Sequence, residues 1–372
     1  MLLRIDGHAH YDTAQLARKW QVTSDFCTWA IANEGRWSSN PCIKRTSTGN
    51  NITTGYIACA PFMQQTGLWT PTGSGVCGFA FKTQALARHV GGNPGALGNN
   101  GYLIGWYEGS QIHCCAQLNP DGTISIYAQP IAGSMNLLGT SPSVLSDNTW
   151  TFLEFKWVIG NTGSVRVRAN GIEVLACTGD TLTDYGGATL LGVWTSVRLL
   201  AMQSSLAPYL TCWLNDFYLC DLLGSGDQRR DFLGDVRIQT ILPNGAGAAA
   251  GWTPSAGANW AAVDETPGDD DTTYVSTSAA GTRDGHAYQD IPTTAVVLGF
   301  QTCHLAKRQS AGSATLKPTV RSGGTTHDGH AQAVSSDTQY TYAVQPYDTN
   351  PVTGAQATAA EINAAEFGTL YV

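Results

Sequence analysis

The sequence predicts an all-β protein of two successive sandwiches, closed by one short helix. Three observations carry this. Only 13% of the 372 residues are charged, while 42% are hydrophobic and 42 residues are Gly. That mixture suits short strands joined by tight turns, and it does not suit a helical protein, which wants Glu, Lys and Leu. Apolar residues alternate with polar ones over short runs, the period of a half-buried strand. Asp-Gly and Asn-Gly dipeptides stand where such runs turn back.

The elements follow in order. Gly78–Lys82 and Tyr102–Tyr107 read as strands, then Ile112–Leu118. The turn Asn119-Pro120-Asp121-Gly122 returns this last strand as Thr123–Tyr127. Trp150–Val158 alternates large apolar residues. Ser164–Arg168 and Ile172–Cys177 form a hairpin about Asn170-Gly171, with Val165, Val167, Ile172 and Val174 facing a core and Arg166, Arg168 and Glu173 facing water. Cys212–Cys220 closes a first domain, residues 1–222. A Gly-rich linker at 223–231 leads to a second, smaller domain, residues 232–372. There Val236–Leu242 is expected as the first strand, with core segments Val296–Phe300, Ala314–Val320 and Tyr340–Val344. Thr358-Ala359-Ala360-Glu361 is a capping box for the one helix, whose Ile362 and Phe367 face inward and which Gly368 is expected to stop.

Net charge is −8, unevenly divided: residues 1–225 hold 12 Lys/Arg against 13 Asp/Glu, and residues 226–372 hold 8 against 15. No basic stripe is present, so no nucleic-acid partner is expected. No apolar run approaches the ~20 residues of a membrane-spanning helix, so no membrane insertion is expected. None of the ten cysteines forms a C-x-x-C pair, and the chain opens without a secretory pattern. Free, mostly buried thiols are expected.

The order of motifs has a family resemblance. Arg4-Ile5-Asp6-Gly7-His8-Ala9-His10-Tyr11, Gly78-Phe79-Ala80-Phe81, Trp150 with Glu154-Phe155-Lys156, Gly163 to Gly171, and Leu214-Asn215-Asp216-Phe217-Tyr218-Leu219-Cys220-Asp221 resemble tailed-bacteriophage virion proteins with a concanavalin A-like (laminin-G-like) jelly roll. Phe232 to Ile238, Leu242-Pro243-Asn244-Gly245, Trp252-Thr253-Pro254, Arg321-Ser322-Gly323-Gly324 and Asn363 to Gly368 resemble the β module that often follows it. The resemblance spans nearly the whole chain. It implies a phage virion structural protein, on the tail in preference to the head, that attaches to a host-surface glycan or receptor. The alternative is a capsid decoration or head-spike protein with an architectural role; a glycan depolymerase comes third. Other virion proteins and further copies of the chain are the implied partners. His8 stands where an aromatic is more usual, and Asp216 is one acid where a pair is common. That departure weakens the calcium site many laminin-G-like rims carry.

Candidate chemistry is sparse, and the expectation is a protein that is not an enzyme, with no cofactor. Asp6-Gly7-His8-Ala9-His10 has the H-x-H spacing of metal-dependent amidohydrolases but lacks the βα alternation of their barrel, and reads as a polar first strand or its turn. His327-Asp328-Gly329-His330 reads as an exposed hairpin loop. Asp264-Glu265 with Asp269-Asp270-Asp271 could attract calcium but lacks EF-hand spacing, and reads as a solvated acidic loop. Glu154 has no acidic partner at i+2 and reads as a solvent-facing or salt-bridged strand residue. Most of the eleven tryptophans are expected in the core. Trp37 and Trp69, in loop-like surroundings, are the candidate ligand-contact aromatics.

Overall fold

The structure is a computed structural model that describes residues 1–23, 27–37, 40–47, 55–59, 70–89, 101–131, 134–185, 188–201, 210–223, 231–309, 312–334 and 336–372. It is nearly all β. Two large sheets form from the first half, antiparallel except where Asp184–Tyr185 joins Ile124–Ile131 in parallel. The first runs Ile172–Gly179, Gly163–Ala169, Thr151–Val158, Ser74–Thr83, Thr211–Asp221, Cys42–Ser47, Cys27–Ala32, with Leu2–Asp6 also paired to Thr211–Asp221. The second centres on Ile124–Ile131, Gln111–Leu118, Tyr102–Glu108, Ser196–Ala201 and Ile57–Cys59. The two sheets face each other as a jelly-roll sandwich. The hairpins form where expected: Asn170 and Gly171 both take positive φ (49° and 80°), as a type I′ turn requires, but Ile172, expected to face the core, is 70% exposed beside the turn.

Strand alternation puts Phe79, Phe81, Phe155, Trp157, Val165 and Val167 into the space between these sheets, against Trp106 from the second and Trp194 from an isolated bridge to Thr72 just before Ser196–Ala201. Trp157 lies 5.3 Å, ring to ring, from both Trp106 and Trp194. Each large apolar side chain buried this way contributes about 1.5–3 kcal/mol relative to exposure. All ten cysteines are free and nine are buried, as expected, with only Cys303 half-exposed. Burial pushes the Cys115 thiol up to about 12 and those of Cys42 and Cys212 up to about 11.

The outer face of the first sheet is also covered, and this corrects two expectations. Phe232, with Leu233 and Val236, packs on Leu2, Val76, Ala80, Phe152, Tyr218 and Cys220. Glu154 points into this layer and is fully buried. Its Oε1 accepts the Tyr218 hydroxyl at 2.5 Å and the Gly234 N–H at 2.8 Å, and burial raises its pKa. Gly78 leaves the space that the Tyr218 ring fills: a Cβ there would lie 2.3 Å from the ring. Val236–Leu242 is not a strand. Its exposure does alternate, but its backbone has no ladder partner, and Ile238 N–H bonds to the side chain of Asp216 instead (2.9 Å). The next strand is Pro243–Ala250.

The second half forms a smaller sandwich. One layer is a six-stranded sheet containing Pro243–Ala250, Arg283–Tyr288, Glu366–Tyr371, Ala314–Ser322, Thr325–Asp328 and Gln332–Val334. The other is a two-stranded ribbon, Phe300–Ala306 with Thr341–Tyr347. Val320, Tyr347, Ile362 and Phe367 build the core between them, joined by Tyr288 and Phe300. The helix Ala359–Asn363 starts at the Thr358 capping box, where Thr358 and Glu361 satisfy each other's backbone N–H groups. Two details differ from expectation. Val296 is 81% exposed and its segment is not a strand, because the strand begins only at Phe300. Gly368 does not stop the helix, which ends at Asn363. It lies within the last strand, where a Cβ would fall 2.0 Å from the Asp284 carbonyl oxygen.

That contact makes Gly368 a stringent position. Gly368→Ala is expected to destabilise by about 1–3 kcal/mol through overpacking against fixed backbone. Denaturant unfolding monitored by tryptophan fluorescence measures this, and an unchanged midpoint would contradict the close strand packing.

Candidate functional site: a cavity at the seam of the two halves

The first strand carries Asp6 into the interior, and the chain then turns through a buried knot of polar side chains. Asp6 Oδ1 accepts the His8 N–H at 2.8 Å. Oδ2 accepts from Trp20 Nε1 at 2.9 Å and the Tyr11 hydroxyl at 3.0 Å, and lies 3.3 Å from Lys19 Nζ. Arg4 stacks over Trp20, 4.0 Å from the ring centroid, and donates to the Lys19 carbonyl. His8 adopts φ 62°, a left-handed conformation costly for a residue with a Cβ, held by its bonds to Asp6 and to the Tyr11 hydroxyl (2.8 Å). Lys19 Nζ also lies 2.6 Å from His10 Nε2 and 3.8 Å from Cys303 Sγ. The structure therefore gathers both histidines of the H-x-H pair about one lysine and one carboxylate. Burial opposes charge on Asp6, but Lys19 and the two imidazoles outweigh it and hold its pKa well below the usual value. Burial, reinforced by Lys19, takes His10 down to about 3, so its Nε2 is a neutral acceptor for the ammonium.

This knot sets the seam with the second half. Gln301 bonds both the N–H and the carbonyl of Ile5, at 3.2 and 3.0 Å, in place of a strand neighbour. The Tyr342 hydroxyl donates to the His10 carbonyl. The acidic run is docked here, which corrects the reading of a solvated loop. Asp270 takes a bidentate pair from Arg18 at 2.6 and 2.8 Å, and Asp271 pairs with Lys307 and the Tyr340 hydroxyl. Asp269 and Glu265 both accept from Thr273. With its carboxylates so committed, the run is not an open oxygen cage. Among the described residues, no group of three or more His, Cys, Asp or Glu side chains is placed to hold a metal.

A cavity of about 1100 Å³ opens from this seam and wraps the strand Phe300–Ala306. Asp6, Gly7, His10, Tyr342 and Cys303 line its seam side. Asp284, His286, His304, Thr369 and Tyr371, with Trp252 and Tyr274, line the part within the second sandwich. Alternation explains the inner wall. Asp284, His286 and Tyr288 share one sheet face, as do Phe367, Thr369 and Tyr371. Tyr288 and Phe367 fill the apolar end of the sandwich, which leaves Asp284, His286 and Thr369 at a polar, hollow end. Burial raises the Asp284 pKa and lowers that of His286, their mutual attraction working against both shifts, and burial takes His304 down to about 4. None of Asp284, His286 and His304 was among the sequence candidates. The cue was present in Asp284-Gly285-His286-Ala287-Tyr288, where period two puts an acid, an imidazole and an aromatic on one face.

The remaining candidates lie elsewhere. Trp37 is half-buried and does not line the cavity. Its Nε1 donates to Asp216 Oδ2 at 2.7 Å, and the guanidinium groups of Arg36 and Arg237 lie 4.7 and 5.4 Å from its ring. Trp69 lies outside the described residues. Asp216 is buried at a positive-φ position where Thr211–Asp221 changes its neighbour from Cys42–Ser47 to Leu2–Asp6. His327 and Asp328 sit half-buried on a hairpin strand, Asp328 paired to Arg283, while His330 is exposed.

The knot and the buried imidazoles each set an expectation for stability. Asp6→Ala leaves Lys19 and Arg4 buried without their carboxylate, and is expected to cost about 3–5 kcal/mol in chemical denaturation. A loss under 1 kcal/mol would mean that the knot is not buried as described. The pH profile is the second. His10 and His304 titrate near 3 and 4 when folded but near 6.5 when unfolded, so the unfolded chain binds more protons between those limits. The contribution of these imidazoles is expected to fall as pH drops from about 6.5 towards 4, partly offset by the buried carboxyls of Glu154, Asp216 and Asp284, whose raised pKa values act in the opposite sense. Thermal unfolding at stepped pH reads this, and a flat profile from pH 7 to 5 would count against it.

No family model matches the chain, and no curated protein matches it. Among solved structures, the chain is similar to the cellulose-induced protein Cip1 at 12% identity, covering 54% of this chain and 91% of that one, with TM-score 0.39. It is similar to the endo-β-1,4-glucuronan lyase of the fungus Trichoderma reesei at 11% identity, covering 53% and 89%, with TM-score 0.37. It is also similar to a carbohydrate esterase of the Shiga toxin-encoding bacteriophage phi24B at 14% identity, covering 58% and 98%, with TM-score 0.34. These likenesses are of fold and carry no residue of theirs onto this chain. The expectation of a protein that is not an enzyme is withdrawn, since two of the three are enzymes by name.

Proposed function

We infer that the protein is a glycan-engaging component of a bacteriophage particle, carried on the tail, and that host-surface saccharide enters the cavity at the seam. The observation that carries this is the lining of the cavity. Trp252, Tyr274, Tyr342 and Tyr371 line it beside hydrogen-bonding Asp, His and Thr side chains, within a volume of about 1100 Å³. Sugar rings present apolar faces and hydroxyl edges, and sites that hold them combine stacking with a few placed polar groups. The phage setting is supported by the order of motifs from Arg4 to Gly368, and assembly as a homo-oligomer with other virion proteins belongs to the same reading.

Calorimetry and surface binding with purified envelope polysaccharide from a susceptible host test this, with Trp252→Ala and Tyr342→Ala as variants. Saturable binding is expected, weakened at least about fivefold by either substitution, in line with the loss of one stacking contact. Chromatography of the same mixtures shows whether the polysaccharide is also cleaved or deacylated. Binding to virion proteins with none to polysaccharide would sink the glycan reading and favour the architectural one.

A further inference from the structure

Two buried polar atoms at the hollow end of the second sandwich take no hydrogen bond. Asp284 is 2% exposed. Asn259 holds its Oδ1 at 2.7 Å, whereas Oδ2 accepts no hydrogen bond and lies 3.4 Å from His286 Nε2. His304 engages Thr369 Oγ1 through Nδ1 at 2.9 Å and leaves buried Nε2 without a partner. Asp284, His286, His304 and Thr369 all line the cavity. Native structures rarely leave such atoms unmet, and two on one cavity wall mark a place that receives donors from a ligand.

We propose that this wall is a subsite for a neutral or amino sugar and that it discriminates against uronic acids. The proposal rests on the reading of the cavity as a saccharide site and names the class of sugar. The open oxygen belongs to a carboxylate, in the half of the chain that carries 15 Asp/Glu against 8 Lys/Arg. A sugar carboxylate brought here meets a like charge where water screens it poorly. The cations along the cavity are Arg237, Lys307 and Arg308; Lys307 is engaged by Asp271, and Arg237 lies 5.4 Å from the Trp37 ring. The imidazoles supply no compensating charge at neutral pH, since burial holds both His286 and His304 below the ordinary histidine range. A hydroxyl or ammonium suits the site: one donor reaches Asp284 Oδ2, and a second reaches His304 Nε2 when the Nδ1 proton is given to Thr369.

The test uses two pairs of sugars that differ only at C6, glucose against glucuronate and galactose against galacturonate, together with glucosamine, which carries an ammonium at C2. Binding to the full-length protein is read by ligand-observed NMR and calorimetry. The hexoses and glucosamine are expected to bind at least about tenfold more tightly than their uronates. Asp284→Asn keeps the shape and the Asn259 contact while removing the charge, and is expected to bring each matched pair to within about threefold. Thermal unfolding confirms that the variant is folded. Uronates binding as tightly as hexoses, or a gap unchanged in Asp284→Asn, would overturn the proposal. So would failure of every sugar in the panel to bind. If intact polysaccharide still binds in any of these cases, the subsite assignment falls and the glycan reading stands; if it does not, both fall.

Discussion

The carboxylate of Asp6 is the constraint around which the rest is arranged. It sits at the end of the first strand, inside the protein, and is held by a backbone N–H, a phenol, an indole and an ammonium. Burying Lys19 and Arg4 is tolerable only because this charge is there to meet them. The bonds that satisfy it also fix the path of residues 7–20, including the left-handed turn at His8. That path delivers Arg18 to Asp270 and Lys19 to the neighbourhood of Cys303. One buried ion thus determines both how the first sandwich is sealed at this edge and where the second half docks.

The second sandwich is built on a compromise between core and cavity. Its six-stranded sheet presents one continuous inner face, yet only one end of it is apolar. Tyr288, Val320 and Phe367 pack against Phe300 and Tyr347, while two residues further along the same strands the side chains become His286 and Thr369. The strand period that makes a core at one end places titratable groups in a hollow at the other. A smaller apolar contact follows for this half, and its ties to the first half, through Gln301, Asp270 and Tyr342, make up part of the difference.

Much of the fold was legible in the sequence because alternation and turn chemistry act locally. The hairpin at Asn170-Gly171, the capping box at Thr358 and the aromatic strand 150–158 each declare themselves within a few residues. What was not legible depended on distant partners. Val236–Leu242 alternates as a strand does, but its backbone bonds to Asp216, a residue some twenty positions away that nothing nearby announces. Glu154 is buried by a segment eighty residues downstream. The cavity was hidden for the same reason: Asp284 and His286 are unremarkable until the ribbon bearing His304 is laid over them. The H-x-H pair shows in the sequence as a spacing alone, whereas its place at the seam depends on Lys19 and Cys303.

The ribbon Phe300–Ala306 with Thr341–Tyr347 forms its ladder only with itself among the described residues. It is clamped by side chains between the first half and the six-stranded sheet: Gln301 and Tyr342 on one face, Phe300 and His304 on the other. Such a leaf is held through side chains, Gln332 on both backbone groups of Val344 and Gln301 on both of Ile5, with no rung shared with either neighbouring sheet. One strand pair is therefore a partition, with the polar knot against one face and the hollow of the second sandwich against the other.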